Sequence, residues 1–140
     1  GHAIIQVDKN GQNSIVLYGG TNRMWTTEYI DSVLDSFEKG DVLILQNEIN
    51  GIEDILEKAY ALTAPSGRIV YITCSVLEEE NGSIVRHFLE RHPDMSTIDM
   101  PALWREKTAQ PWPCGKKPWL ELNPLVTGTD GFFVAVIEKH

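Results

Sequence analysis

The nine residues 67–75, Gly-Arg-Ile-Val-Tyr-Ile-Thr-Cys-Ser, constrain the fold more than any other stretch of the chain. They form a short, nearly unbroken run of β-branched and aromatic residues, entered through Pro65-Ser66 and left through a polar Thr-Cys-Ser. Such a run suits a strand buried on both faces, and it is read as a central parallel strand. Open α/β sheets place their chemistry at the C-terminal edge of such strands, and this one presents Cys74 there. Ser75 and Glu78 have capping-box spacing, which predicts a helix from Ser75 onward. The thiol would then sit near the positive end of a helix dipole, where a thiolate is favoured.

Around this strand the chain alternates. Residues 3–7 and 14–18 are apolar runs joined through Asn10-Gly11, a pair able to take positive φ, which predicts a β-hairpin. Gly19-Gly20-Thr21-Asn22 reads as a plain turn. Thr26 is a helix cap, with Trp25 and Ile30 as a hydrophobic staple and Ile30, Val33, Leu34 and Phe37 as the apolar stripe up to Gly40. Residues 41–46, Asp-Val-Leu-Ile-Leu-Gln, form a second continuous apolar strand. Asn50 and Glu53 cap a helix with the stripe Ile52, Ile55, Leu56 and Ala59, stopped by Pro65 and Gly67. Leu77, Ile84, Val85, Phe88 and Leu89 mark a third helix ending at His92-Pro93, and strands are expected near residues 96–99 and 132–138. Asp130-Gly131 is a turn before the last of these. Residues 100–123 hold four of the seven prolines and three of the four tryptophans without a usable period. They read as a long loop anchored by Trp104, Trp112 and Trp119.

Alternating strands and helices predict an α/β fold: a three-layer sandwich with a Rossmann-like mixed sheet, an N-terminal β-hairpin and C-terminal antiparallel strands. The 140 residues are enough for one domain, taken as residues 1–140, but short for a two-substrate enzyme. The net charge of −8 argues against a general nucleic-acid binder. Only Lys116-Lys117 pair up, with Arg105 and Lys107 nearby. Two cysteines, Cys74 and Cys114, are too few for a disulfide framework, which predicts a reducing cytoplasm. No apolar run is long enough for a membrane span. His87 and His92 read as surface residues, and none of the four histidines has a ligand spacing with a cysteine, so no metal is expected. Gly1-His2 has the look of a scar left by tag removal, and the start on a strand without methionine suggests a chain cut from something larger.

The second half of the chain resembles a family. Gly-Arg-Ile-Val-Tyr-Ile-Thr-Cys-Ser-Val-Leu-Glu-Glu-Glu-Asn, followed by Phe88-Leu89-Glu90-Arg91-His92-Pro93 and closed by Gly128-Thr129-Asp130-Gly131-Phe132-Phe133, is similar to the C-terminal part of bacterial RNA cytosine-5 methyltransferases. The resemblance implies that the cysteine of Thr-Cys-Ser, Cys74, attacks the cytosine ring. The first half resembles another family: Ala3 through Asn22, with Asp-Val-Leu-Ile-Leu-Gln-Asn-Glu-Ile after the helix, is similar to a ribokinase of the sugar-kinase superfamily. There the hairpin belongs to a lid and dimer interface, and the Glu of Gln-Asn-Glu contacts ribose, which would carry over to Glu48.

Together the two resemblances imply a recombined chain, with residues 3–60 ribokinase-like, residues 61–140 methyltransferase-like, and a junction between Asn50 and Ala64. The Gly-Ala-Gly-Asp anion hole and catalytic aspartate of a ribokinase are absent from the sequence. So are the Gly-rich S-adenosylmethionine loop, the acidic residue after the next strand and the Asp-Ala-Pro-Cys strand end of a methyltransferase. Cys114 in Pro113-Cys114-Gly115 follows Cys74 in the chain and is not assigned the second-cysteine role. The expectation is a folded chimera with no catalytic function, no cofactor and no nucleic-acid or membrane partner, with Cys74 and Glu48 as relics. Its exposed hairpin would support a homodimer, directly or by a swapped segment. Two alternatives stay open: a remnant RNA cytosine-5 methyltransferase using S-adenosylmethionine, and a homodimerising interaction module.

Overall fold

A computed structural model describes residues 1–38 and 51–140. The strand expected at residues 41–46, the helix stop at Gly40, the cap Asn50 and the candidate Glu48 lie outside the described residues. The elements are β1 (His2–Val7), β2 (Asn13–Tyr18), α1 (Thr27–Leu34), α2 (Ile52–Leu62), β3 (Arg68–Thr73), α3 (Gly82–Arg91), β4 (Met95–Thr97), α4 (Met100–Thr108), β5 (Leu120–Leu122) and β6 (Phe132–Lys139). The chain is α/β and Rossmann-like, with an N-terminal hairpin and antiparallel C-terminal strands, as the alternation of elements predicts.

The hairpin forms where it is expected. Gly11 takes φ +83° and donates to the Asp8 carbonyl, so β1 and β2 pair in antiparallel register from His2↔Tyr18 to Val7↔Asn13. The Asp8 carboxylate accepts the backbone N–H of both Asn10 and Gln12 and closes the turn. Every residue of both strands is exposed, so the hairpin is a separate two-stranded sheet that buries nothing.

α1 begins at its predicted cap: the Thr26 hydroxyl accepts the N–H of Tyr29 at 3.3 Å. Its stripe, Ile30 and Leu34, packs on Ile55 of α2, with Trp25 and Phe37 closing the cluster. An ion pair between Lys58 and Asp31 ties the two helices on the solvent side.

The main core lies between α2, α3 and one face of the sheet built on β6. Leu56, Val85 and Phe88 meet Ile69, Tyr71, Phe133, Ala135 and Ile137 there, and Met95 and Trp119 complete the cluster. Burying each large apolar side chain contributes about 1.5–3 kcal/mol, so the stability of the chain resides in this cluster and not in the hairpin.

Among the described residues β3, read as a central parallel strand, has an antiparallel partner and no parallel one, and the strand expected at residues 41–46 lies outside them. β3 pairs with β6 in antiparallel register, Arg68↔Glu138 to Thr73↔Phe133, while β4 and β5 pair with β6 as well. Its burial alternates: Ile69, Tyr71 and Thr73 face the helices, whereas Val70 is 54% exposed and Ile72 is 40% exposed. A continuous β-branched run does not by itself distinguish a strand covered on both faces from one covered on a single face, because both are rich in the same residues.

Two further corrections concern local structure. Ser75 does not open a helix: a single 3₁₀ turn occupies Glu78–Glu80, α3 starts only at Gly82, and Leu77 is 53% exposed outside it. Residues 100–123, read as loop, contain α4 and β5. Asp99 caps α4 by accepting the N–H of Ala102, and a proline in its first turn fits because no helical hydrogen bond is lost there. The tryptophans do anchor this segment. Trp119 is 7% exposed in the core, Trp104 and Trp112 meet edge to face at 5.9 Å, and the Trp104 indole donates to the Pro111 carbonyl.

Candidate active site

Cys74 follows the last residue of β3 directly and its side chain is exposed. The loop that carries it is held from below. Thr73, 4% exposed, donates its hydroxyl to Oδ1 of Asn81 at 2.5 Å, and the same hydroxyl oxygen accepts the N–H of Ser75 at 3.2 Å. Asn81, 1% exposed, donates from Nδ2 to the Ser75 carbonyl at 2.9 Å. Ser75 Oγ accepts the N–H of Leu77, and the Tyr71 phenol donates to the Glu80 carbonyl at 2.7 Å, which fastens the 3₁₀ turn to the strand. Arg86 on α3 pairs with Glu78 from the other side.

The segment before β6 closes over this loop. A Cβ on Gly131 would stand 2.6 Å from Cγ1 of Val76 and 3.2 Å from the Cys74 carbonyl, so a larger residue would push on the cysteine loop. The turn expected at Asp130-Gly131 lies earlier, at residues 124–127, and Gly131 instead packs the segment before β6 against the cysteine loop.

The two thiols differ in kind. Cys114 is half-buried and hydrogen-bonded to the backbone of Glu121, and burial pushes its pKa up despite that bond. It is a structural thiol. The helix-dipole account of Cys74 does not hold, since α3 begins eight residues later. Glu48 lies outside the described residues. Among the described residues no three of His, Cys, Asp and Glu converge as a metal site would require. His92 is not a surface residue as expected: it is 9% exposed, its Nε2 lies 2.9 Å from Glu57, and its ring packs on Tyr60 and Phe88. Asn81 is the residue that sequence reasoning passed over, although it ends the quoted Glu-Glu-Glu-Asn motif.

The family model described as 16S rRNA methyltransferase RsmB/F matches residues 38–138. The chain belongs to the RsmB/F family. The ribosomal RNA small subunit methyltransferase F of Aeromonas salmonicida is 29% identical over 131 residues, covering 83% of this chain and 27% of the relative. The methyltransferase F of Shewanella denitrificans is 31% identical over 87 residues, 62% of this chain and 17% of its own length. Among solved structures, the crystal structure of PH0851 is similar with a TM-score of 0.50 and 31% identity over 69% of this chain and 21% of that one. The chain thus spans about a sixth to a quarter of the length of these relatives.

These findings overturn several expectations. The RsmB/F match runs unbroken through residues 50–64, where a change of family was expected, and the Aeromonas alignment covers more of the chain than residues 61–140 could supply. The reading as a chimera without function is therefore withdrawn, and with it the ribokinase role for Glu48. The relatives are named as methyltransferases of ribosomal RNA, against the expectations of no enzyme and no nucleic-acid partner. The homodimer expected through the exposed hairpin finds no support in these comparisons. Among the described residues no helix is long and apolar enough to cross a membrane.

S-adenosylmethionine, which the family resemblance implies, does not fit the residues present. Its Gly-rich loop, acidic residue and Asp-Ala-Pro-Cys are absent from the sequence, and the polar groups behind Cys74 are bonded to one another. The buried side-chain nitrogens without a partner among the described residues are the indoles of Trp112 and Trp119, and neither belongs to the hydrogen-bond network behind Cys74.

Proposed function

We propose that this chain is the nucleophile-bearing segment of an RNA cytosine-5 methyltransferase of the cytoplasm, acting on ribosomal RNA, with Cys74 as the attacking thiol. The observation that carries this is the family match across Thr73-Cys74-Ser75, at a thiol that is exposed on an otherwise bonded loop. The step the chain itself supplies is a conjugate addition. The Cys74 thiolate forms an S–C6 bond, the C5–C6 π pair moves to C5, and a proton from water ends there. Reversal returns the base and the thiolate. Cys114, tied to Glu121 and raised in pKa, does not compete for this role.

The test places residues 38–138 in the Aeromonas salmonicida methyltransferase F in exchange for its matching segment and measures methylation of ribosomal RNA. The exchanged enzyme is expected to methylate, and Cys74→Ala within it to lower the rate on the order of 10³-fold or more. Methylation that survives Cys74→Ala undiminished would refute the reading.

A further inference from the structure

We infer that Asn81 is a positioning residue for Cys74, clamping the Thr73 side chain before the thiol and the Ser75 backbone after it to the start of α3; the functional weight of this clamp rests on the nucleophile reading of Cys74. Asn81 occupies the N-cap position of α3, where an asparagine side chain ordinarily accepts a backbone N–H of the first turn. Here it makes no such bond. Its carboxamide points back to the strand end instead, taking the Thr73 hydroxyl on Oδ1 and giving Nδ2 to the Ser75 carbonyl.

The pattern of donors explains why a carboxamide is needed. The Thr73 hydroxyl has one proton, spent on Asn81, and its oxygen accepts the Ser75 N–H. Ser75 therefore has both its N–H and its carbonyl fixed, one through Thr73 and one through Asn81, and Cys74 lies in the chain between the held Thr73 side chain and the held Ser75 backbone. An aspartate keeps the acceptor but loses the donor, and sets a carboxylate oxygen against the Ser75 carbonyl. An alanine loses both. With Asn81 1% exposed and Thr73 4% exposed, water does not replace either group, so the helix gives up a cap and the loop gains a fixed geometry. A thiol that must meet one ring carbon gains from that exchange, because misplacement of a reacting group by about 1 Å costs on the order of 10²-fold in rate.

The experiment measures backbone amide order parameters on the full chain in the Cys114→Ser background, with Asn81→Ala, Thr73→Val and the pair combined. In the parent, Cys74 and Ser75 are expected at the rigid level of about 0.85, and in Asn81→Ala below about 0.6, while Tyr71 and Ala135 stay rigid. Thr73→Val should loosen the same two residues, and the combined variant should be no looser than either single one, as for groups that act as one unit. Where Asn81→Ala does not fold, Thr73→Val supplies the same readout from the other end of the bond. Unchanged order at Cys74 and Ser75 in a folded variant, or an equal loss at Tyr71 and Ala135, overturns the clamp. No RNA is involved, so the two readings fail separately. Loosening of the loop beside a Cys74-independent methyltransferase would sink the nucleophile alone, and unchanged order beside a Cys74-dependent one would sink the clamp alone.

Discussion

The thiol of Cys114 is closed into a reciprocal pair with the backbone of Glu121, its Sγ accepting the N–H at 3.1 Å and donating to the carbonyl oxygen at 3.4 Å. Burial raises its pKa above the ordinary range, the Glu121 hydrogen bond lowering it in part. Only the thiolate alkylates, so at pH 7.5 iodoacetamide should modify Cys74 first and Cys114 at least about 10-fold more slowly. Mass spectrometry of a time course checks the order, and Cys114 modified as fast as Cys74 would show that the pair with Glu121 is open in solution.

Tyr71 has its phenol in the core and its pKa pushed up to about 12, by burial first and by the charge of Glu80 second. The folded value lies above the unfolded one of 10.0, so the neutral phenol stabilises the fold fully below about pH 10. That contribution is lost as the pH rises through the folded value. Tyr60 is raised too, chiefly by its hydrogen bond to Asp94, and acts in the same direction. Urea midpoints of the parent should fall between about pH 10 and 12, and those of Tyr71→Phe should fall less. At neutral pH the same substitution should cost about 1 kcal/mol for the bond to the Glu80 carbonyl. Parallel alkaline curves for the two proteins would refute the assignment.

What was legible in the sequence were the features with a strict local code. Asn10-Gly11 gave the hairpin turn, Thr26 the cap of α1, and the spacing of Ile55, Leu56, Val85 and Phe88 the faces of α2 and α3, because each follows from a dihedral or a helical period. β3 was found, but not its pairing, since β-branched residues report burial and not the direction of the neighbouring strand. α4 was hidden by Pro101, which reads as a breaker in isolation and is tolerated only because Asp99 caps the helix just ahead of it. At the site, Cys74 could be found from its strand end, whereas Asn81 could not, because an asparagine before a helix is ordinarily explained as a cap. The charge argument against nucleic acid is at odds with relatives named for ribosomal RNA, and it carries little weight because −8 is the sum over a chain that spans about a sixth to a quarter of those relatives.

Gly82 opens α3 under the indole of Trp119, and a Cβ there would stand 2.9 Å from its Cζ2 and 2.6 Å from Oε1 of Glu78. The glutamate can swing away, but the tryptophan is 7% exposed and packed against Phe133. Alanine in place of glycine favours a helix interior by about 1 kcal/mol and less at a first position, whereas overpacking costs about 1–3 kcal/mol. Gly82→Ala should therefore lose about 1–2 kcal/mol in urea unfolding and shift the tryptophan emission. An equally stable variant with unchanged emission would mean that α3 has room to move off Trp119.

The hairpin offers a test of where the stability lies. Leu17 is 75% exposed, Ile4 and Val16 are each 64% exposed, and no residue of either strand reaches the core. A two-stranded hairpin is marginal by itself in water, so its amides should exchange far faster than those of the β3 and β6 pair. Deleting residues 1–18 removes no contact of Phe88, Phe133 or Ile137, whose burial carries the main core. The shortened chain should unfold cooperatively within about 0.5 kcal/mol of the parent, as for changes away from any packed feature. A loss of more than about 2 kcal/mol, the scale of one buried apolar side chain, would show that the hairpin packs on the rest of the chain in solution.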